Sequence, residues 1–586
     1  MKINPDFSRV LHVDLNTEKS TVRMIPDRHM HIGGSGLAAV LYEQYGVNDA
    51  PANDPRQPLI FAIGPLTGFY PLMSKVVCGF RSPYTDEWSE SHAGGRLALS
   101  IRFAGYDALM ITGKAKELSA LVIGSRSCEV KNVAYLRGKD VFATGKFLRR
   151  FDKKNAGHRS AIRIGQAGER GVAYACINVD SFRHFGRMGS GSAMGYKNLK
   201  GIVVSGDGSY DLPEGKAYAN LMKEIYQDIT ETGKMKKYHD LGTPQNLIPL
   251  NELQALPWNN LQKTHDDRVD NISGETFADQ LLLRQAACAG CPVGCIHIGL
   301  LRQQFASEHE FLYKQVSYDY EPIFAQGSML GITNAADVLA LLDETEKLGL
   351  DCMSAGVALA WAAEATEKGI ISKDETIVDL KFGDMKGFIE GLKFISSGEN
   401  EFYQALSRGS MAAAKQYGGE DFACVLGQEM AGYATGEVFF VASAYGFRHS
   451  HLDTGGYAFD QNTTEKDADK VIEFMLQDER ERIYINTMMG CLFARGTYGA
   501  EKLKEALTAA GFANIADNLE AAGKYVQNLR WQLKCKTGFD VDAVKIPKRF
   551  TEVVTWKGAI DTEYMNEVAR RYALAIKEMA QCEEVE

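Results

Sequence analysis

The chain has 586 residues with 45% hydrophobic, 24% charged and 10% aromatic content, ordinary values for a soluble globular protein and too many residues for one core, so two to four domains are expected. A formal net charge of −10 excludes a nucleic-acid footprint, which needs clustered Lys and Arg. The one basic cluster, at residues 183–200, is a candidate site for a small anion. No run reaches the ~18 apolar residues of a membrane span, and residues 1–21 alternate apolar and charged positions without a signal-type core or twin-arginine leader. A cytoplasmic protein without membrane insertion is therefore expected. Its eleven cysteines then read as thiols or metal ligands, since disulfides need an oxidising compartment.

In chain order, short β-type runs recur at 10–15, 58–63, 75–80, 108–112, 120–123 and 200–204, separated by glycine turns such as 33–36, 94–95 and 189–191. They predict a β-rich domain over residues 1–207. Helical periodicity then takes over at 212–233, 335–349, 354–368, 387–396, 401–417, 459–484, 500–510 and 562–582. The expected fold class is α+β: the β-rich domain is followed by two mainly helical domains, 208–420 and 421–586. No internal repeat or low-complexity linker is visible.

Chemistry concentrates at Cys288, Cys291 and Cys295, a C-x2-C-x3-C run. Three thiolates can converge on one inorganic centre only if the backbone turns tightly, and Gly290, Pro292 and Gly294 provide for that. Iron–sulfur cubanes take four thiolates, while zinc sites favour paired C-x2-C knuckles, of which no second is present. The spacing leaves the fourth ligand open among Cys78, Cys128, Cys176, Cys352, Cys424, Cys491, Cys535 and Cys582.

This run resembles the cluster motif of the tungsten-containing aldehyde:ferredoxin oxidoreductases. So, in order, do the segments Gly33-Gly-Ser-Gly-Leu37, Gly64-Pro-Leu-Thr-Gly68, Ala93-Gly-Gly95, Phe103-Ala-Gly-Tyr-Asp107, Ile164-Gly-Gln-Ala-Gly-Glu169, Met194-Gly-Tyr-Lys-Asn-Leu-Lys200, Leu256-Pro-Trp-Asn-Asn260 and Leu348-Gly-Leu-Asp351. The resemblance implies a cofactor at the junction of the three domains, a tungsten or molybdenum ion held by the sulfurs of two pyranopterins. It implies Cys491, in Asn486-Thr-Met-Met-Gly-Cys491, as the fourth ligand of a [4Fe–4S] cluster, and places one pterin on that segment and the other on Glu346-Lys-Leu-Gly-Leu-Asp351. Acidic and amide side chains suit pterin N–H donors. The phosphate positions fall on Lys75, His92, Gly94, His184, Phe185, Gly186 and Arg187, where backbone N–H groups and basic side chains can meet an anion. A Mg2+ bridging the phosphates would use carbonyls of His92 and Phe185. Leu350, Tyr445, His451 and Gly490 are further cofactor-contact positions by resemblance, and Glu321 and His449 the catalytic pair, both types that can be tuned to exchange protons near neutral pH.

Several positions depart from the family's pattern. Lys75 stands where arginine is common and His92 where asparagine is, Glu346 and Asn486 replace aspartates, and Gly490 replaces a leucine. Tyr445 and His451 occupy places that are often basic, and the Arg448-His-Ser-His-Leu-Asp453 segment differs from the aldehyde-oxidising members. The expected activity is anaerobic oxidation of a small aldehyde to a carboxylic acid, with electrons leaving through the cluster to ferredoxin or a small ferredoxin-like subunit. The rivals are reduction of an activated carboxyl or aromatic acyl compound within a larger complex, and a cluster-bearing electron-transfer subunit without pterin. Homodimer and hetero-oligomer both remain open.

Overall fold

The computed structural model describes residues 3–151, 158–307 and 309–581; Cys582, and with it the expected end of the last helix, lies outside them. All six expected β-runs form strands: Ser8–Asp14, Leu59–Ala62, Val76–Arg81, Ala108–Thr112, Ser119–Ile123 and Leu199–Ser205. Six further strands complete two six-stranded sheets. The first runs Lys19–Ile25, Ser8–Asp14, Ala108–Thr112, Leu59–Ala62, Val76–Arg81, Trp88–Ala93. The second runs Cys128–Asn132, Ser119–Ile123, Leu199–Ser205, Arg159–Arg163, Ile177–Val179, Arg183–Phe185.

Position by position these two orders agree, and so do the directions. The second and third strands of each sheet are parallel, and every other neighbouring pair is antiparallel. The β-rich half is thus one topology used twice, which corrects the expectation of no internal repeat. The copies have diverged in strand length and burial. The fifth strand is Val76–Arg81, buried throughout, in one copy and the three-residue Ile177–Val179 in the other. The sheets share a core in which Leu11, Phe61, Val76 and Leu109 meet Leu121, Ile162, Ile177 and Ile202. The opposite face of the first sheet packs on the helix Gly34–Tyr45.

Expected helices appear at Lys216–Glu231, Ala335–Leu348, Cys352–Glu367, Met385–Ser397, Ala500–Ala509 and Thr562–Ala580. The second of these leads into a helix with thirteen consecutive buried residues, Met353 to Ala365, a central rod apolar on all sides. Two expected helices break in two. The run at 401–417 becomes Glu401–Leu406 and Ser410–Tyr417 because Gly409 has φ +110°, outside the helical range. The run at 459–484 becomes Gly456–Asn462 and Ala468–Met488. The helical half also contains a three-stranded antiparallel sheet, Leu282–Ala286, Ile296–Ala306 and Glu310–Tyr318. Its first strand ends just before Cys288 and its second begins just after Cys295, so the cysteine loop is the connection between them. Among the described residues no helix is long and apolar enough to cross a membrane.

Candidate functional site

Each copy of the sheet topology meets the C-terminal end of one helix. Ala468–Met488 ends on Met489 (φ +54°) and Ala335–Leu348 on Gly349 (φ +76°), both left-handed caps that stop a helix by closing its last turn. Lys75, just before the fifth strand of the first sheet, donates its backbone N–H to the Met489 carbonyl at 2.9 Å; Cys176, in the same place in the second, donates to the Gly349 carbonyl at 2.9 Å. Asn486 and Glu346 lie three residues before these caps, and Cys491 and Asp351 two residues after. His92 pairs with Val77 and His184 with Asn178, the same ladder position in the two sheets, with Gly94 and Gly186 two residues on. The predicted pterin-side residues therefore fall into two related sets, one at the equivalent place on each sheet.

In the second set polar atoms are left over. Glu346 Oε1, Asn178 Nδ2, Arg183 Nε and Arg187 Nη1 are buried without a hydrogen-bond partner, although buried polar groups are normally satisfied. Glu346 Oε1 lies 3.4 Å from His184 Nε2, and His92 Nε2 3.6 Å from Glu90 Oε1. Close backbone passage is required here: a Cβ on Gly34 would come 2.4 Å from the Asn486 carbonyl, and one on Gly165 2.1 Å from the Leu348 carbonyl. Acceptors, basic donors and bare backbone around one junction fit a polar heterocycle carrying phosphate.

The cysteines converge at the edge of the first set. Leu72 ties them together: its N–H donates to the Gly290 carbonyl at 3.3 Å, and its carbonyl accepts from the Cys491 N–H at 3.0 Å. Ala289 N–H reaches the Gly95 carbonyl at 3.0 Å, and a Cβ on Gly94 would come 2.6 Å from Cys288 Sγ. Gly290 and Gly294 have φ +69° and +68°, conformations that favour glycine. No disulfide joins any of the ten described cysteines. Burial pushes the Cys291 thiol up to about 12 and the Cys295 thiol up to about 11. Burial also works against the Cys288 thiolate, but the Lys75 ammonium and the Arg183 guanidinium outweigh it and hold Cys288 below its usual value; Arg183 Nη2 lies 3.7 Å from Cys295 Sγ. No group of three or more His, Cys, Asp or Glu among the described residues is gathered as for a single metal ion. A cubane makes a different demand, since its thiolates bind separate irons, and four thiols with two cations beside them match an anionic cluster.

Beyond the cysteines, Glu321 sits in the first turn of the helix Tyr320–Gln326. Its Oε2 accepts the Gly432 N–H at 3.0 Å, while Oε1 faces His451 Nδ1 at 3.4 Å, neither atom being hydrogen-bonded. Burial raises Glu321 to about 8. Burial, with Arg187 and Arg482 nearby, lowers His451 to about 3, so both groups are neutral at pH 7. Tyr433 packs against this pair, 5.3 Å from the His451 ring and 4.7 Å from Tyr457. Arg187 closes the other side, donating to Asp351 Oδ2 at 3.2 Å, Ser354 Oγ at 3.3 Å and the Glu429 carbonyl at 2.6 Å.

Other expected site residues are engaged elsewhere. His449 Nδ1 lies 3.0 Å from the Ala444 carbonyl, and its Nε2 lies 3.3 Å from Lys534 Nζ and 4.0 Å from Glu87 Oε2, so both nitrogens are occupied and Glu321 faces His451 instead. The Asp351 carboxylate caps the helix Cys352–Glu367 through the Met353 and Ser354 N–H groups. Leu350 forms a bridge with Ala175, and Gly490 packs on Ile485 and Met73. The Phe185 carbonyl accepts from Ser190 Oγ at 2.7 Å. Tyr445 packs on Tyr572 of the last helix, 6.4 Å between rings. The basic cluster at 183–200 divides: Arg183 and Arg187 reach the junction, whereas Lys197 Nζ binds the carbonyls of Pro55, Gln57 and Gly113 and Lys200 pairs with Glu169. Arg183 was visible as part of that charge run. Tyr433 and Tyr457 carried no sequence signal.

Comparisons with known proteins give the family and the fold. The family model described as aldehyde ferredoxin oxidoreductase, N-terminal domain, matches residues 10–206, and that for domains 2 and 3 matches residues 220–578. The tungsten-containing aldehyde ferredoxin oxidoreductase of Pyrococcus furiosus is 27% identical over 93% of this chain and 92% of its own length. The aliphatic sulfonate oxidoreductase, WOR-like subunit, of the same organism is 28% identical over 76% and 72%. The solved active-site complex BamBC of benzoyl coenzyme A reductase with 1,5-dienoyl-CoA shares the fold, with TM-score 0.80 and 20% identity over 97% of this chain and 94% of that one. With both family models together spanning nearly the whole chain, the protein belongs to the aldehyde ferredoxin oxidoreductase family of oxidoreductases.

Proposed function

We propose that the protein is a tungsten or molybdenum bis-pyranopterin oxidoreductase that converts a small aldehyde and water into a carboxylic acid, releasing two electrons and two protons. The electrons leave through a [4Fe–4S] cluster to ferredoxin or a ferredoxin-like subunit. One observation carries this reading: Leu72 joins Cys491 to the Cys288–Cys295 loop, and Arg183, whose Nε is buried without a partner, reaches that loop 3.7 Å from Cys295 Sγ. Cys288, Cys291, Cys295 and Cys491 would hold the cluster. Glu346, Asn178 and Asn486 would meet the pterin rings. Lys75, His92, Gly94, His184, Gly186 and Arg187 would meet the phosphates; of the two carbonyls expected to hold a Mg2+, that of Phe185 already accepts from Ser190 Oγ, which leaves His92 as the candidate.

When bound, the metal–pterin group supplies the two-electron redox chemistry. Proton handling falls to Glu321 and His451, so His451 takes the place that the sequence assigned to His449. Gly432 N–H fixes one oxygen of the carboxyl and leaves Oε1 free to take a proton from the water that adds to the aldehyde. His451, held neutral, can pass that proton on through Nδ1. Tyr433 and Tyr457 exclude bulk water from the pair.

A second reading rests on the same carboxyl. With a value of about 8, Glu321 is protonated at neutral pH, the state needed by a donor in the reductive direction on an activated carboxyl or aromatic acyl compound. Metal analysis, followed by an aldehyde panel with a viologen acceptor and a thioester panel with reduced viologen, separates the two. Iron without tungsten or molybdenum would reject both.

A further inference from the structure

The cysteine loop lies between two patches of uncompensated positive charge. On one side Arg284 stacks over Phe182, 5.7 Å from its ring, and Phe182 packs with Cys288 and Cys291. On the other side Tyr238 and Phe493 stack at 4.1 Å and pack with Cys291, Cys295 and Cys491, while Lys237 and Arg495 flank this stack. All three cations are exposed, and each is held by a neutral acceptor: Arg284 by Gln315 Oε1, Lys237 by Asn246 Oδ1 and Arg495 by the Leu492 carbonyl. Partial burial, and then the neighbouring Arg495, disfavour the Lys237 charge. The loop between the patches is itself open: Ala287 and Gly290 are exposed.

From this loop the hairpin Ile296–Tyr318 carries one face outward. Its inner face is sealed at the base by the helix Ala335–Leu348, where Lys314 Nζ donates to Asp343 Oδ2 at 2.7 Å and Gly299 lies against Leu339. Cross-strand partners share a face, so the pairs Ile298 with Ser317, Leu300 with Gln315 and Arg302 with Tyr313 line the outer one. Ile298 packs with Cys288 at its root. Towards the tip Arg302 lies 3.7 Å over the Phe311 ring, and Tyr313 and Phe305 are 62% and 57% exposed. Basic and aromatic side chains thus recur from the cysteine loop towards the hairpin tip, with neutral Leu300, Gln315 and Ser317 between them, on a chain whose net charge is −10.

We propose that this outer hairpin face, with Arg284, Lys237 and Arg495, docks a small acidic one-electron carrier protein. The proposal rests on the reading of the four cysteines as cluster ligands. In a two-fold contact a second copy would set this same basic face against itself, whereas an acidic carrier complements it and places its own centre beside the loop. Each carrier accepts one electron, so oxidation of one aldehyde with one water reduces two carriers and releases two protons.

The test uses the holoenzyme and a bacterial-type ferredoxin as probe. Charge reversal at Arg284→Glu, Lys237→Glu and Arg495→Glu together should weaken the ferredoxin Kd about tenfold or more at low salt, with the difference shrinking as salt screens the pair. The double variant Phe305→Ser, Tyr313→Ser should also weaken it, independently of salt. Iron content and direct viologen reduction by the enzyme reduced with titanium(III) citrate should stay within about twofold of the parent in both variants. An unchanged ferredoxin Kd in both variants, with iron retained, would overturn the docking face while leaving the cluster reading intact. So would conversion of a dimer to monomers by the hairpin variant with ferredoxin binding unaffected, since the face would then cover a second copy. Absence of iron from the parent would remove the cluster reading, and the proposal with it.

Discussion

Glu321 Oε1 and His451 Nδ1 face each other at 3.4 Å, and neither atom has a hydrogen-bond partner. Burial holds the carboxyl at about 8, so replacement by the neutral isostere should remove proton exchange while keeping shape. Glu321→Gln is expected to lower kcat by about 10²–10⁴-fold with tungsten or molybdenum content unchanged. A rate within threefold of the parent at full metal loading would reject the role.

The same shift makes Glu321 a pH-dependent cost to stability. Unfolded, the carboxyl loses its proton near its ordinary value of about 4.3; folded, it keeps that proton up to about 8. Between these values the folded state binds more protons, so this group makes stability fall as pH rises, by at most about 1.4 kcal/mol per unit, and the cost levels off above the folded value. Glu321→Gln should therefore raise the melting temperature more at pH 8 than at pH 5. Equal shifts at both pH values would show that the carboxyl is not held protonated. The oxidative rate of the parent should rise through a group near pH 8, as the base form appears.

His449 and His451 should separate by readout. His449 bridges the Ala444 carbonyl and the Lys534–Glu87 ion pair, so His449→Gln should cost about 1–3 kcal/mol of stability and change kcat by only a few fold. His451→Gln should lower kcat and move the apparent value near 8 while leaving the melting temperature almost unchanged. The opposite pattern would restore His449 to the catalytic pair.

Beneath the site, Arg530 Nη2 binds Glu90 Oε1 at 2.5 Å, both fully buried. Burial opposes the Glu90 charge, but Arg530 and His92 outweigh it and keep it ionised. Removing one partner of a buried pair strands the other charge, so Arg530→Met should cost about 3–5 kcal/mol, whereas Arg530→Met with Glu90→Leu should recover part of it. Additive losses measured by thermal unfolding would contradict the pairing.

How much of this was legible in the sequence follows from where the signal lay. Strands such as Ala108–Thr112 and helices such as Ala335–Leu348 announced themselves because their apolar period matches what they bury. The strand Trp88–Ala93 did not: Ser89, Glu90, Ser91 and His92 lack a strand's apolar alternation, yet they are largely buried because Arg530 and the C-terminal helices supply their partners. The duplicated topology was hidden for a related reason. A strand order is a property of backbone pairing, and Val76–Arg81 and Ile177–Val179 fill the same place with different lengths and side chains. Of the site, the cysteine spacing and the family segments were readable locally. The meeting of Glu321 with His451 was not, because the 129 intervening residues must first fold into the helices that bring them together, and the resemblance gave the catalytic role to His449 and only a cofactor contact to His451.

The cluster edge gives a structural test of its own. Cys491→Ser should lose the cluster's low-temperature EPR signal in the reduced protein, and Gly94→Ala should diminish it, since the added Cβ would come 2.6 Å from Cys288 Sγ. Cys78→Ser, deep in the first sheet, should retain the signal. Retention in Cys491→Ser with loss in Cys78→Ser would reassign the fourth ligand.

The most direct measurement is elemental analysis of the protein purified without oxygen from cells supplied with tungstate and molybdate. About four irons and one tungsten or molybdenum per chain are predicted, the iron falling in Cys491→Ser and the heavier metal remaining. Zinc in place of iron, or iron with neither heavier metal, would contradict the account.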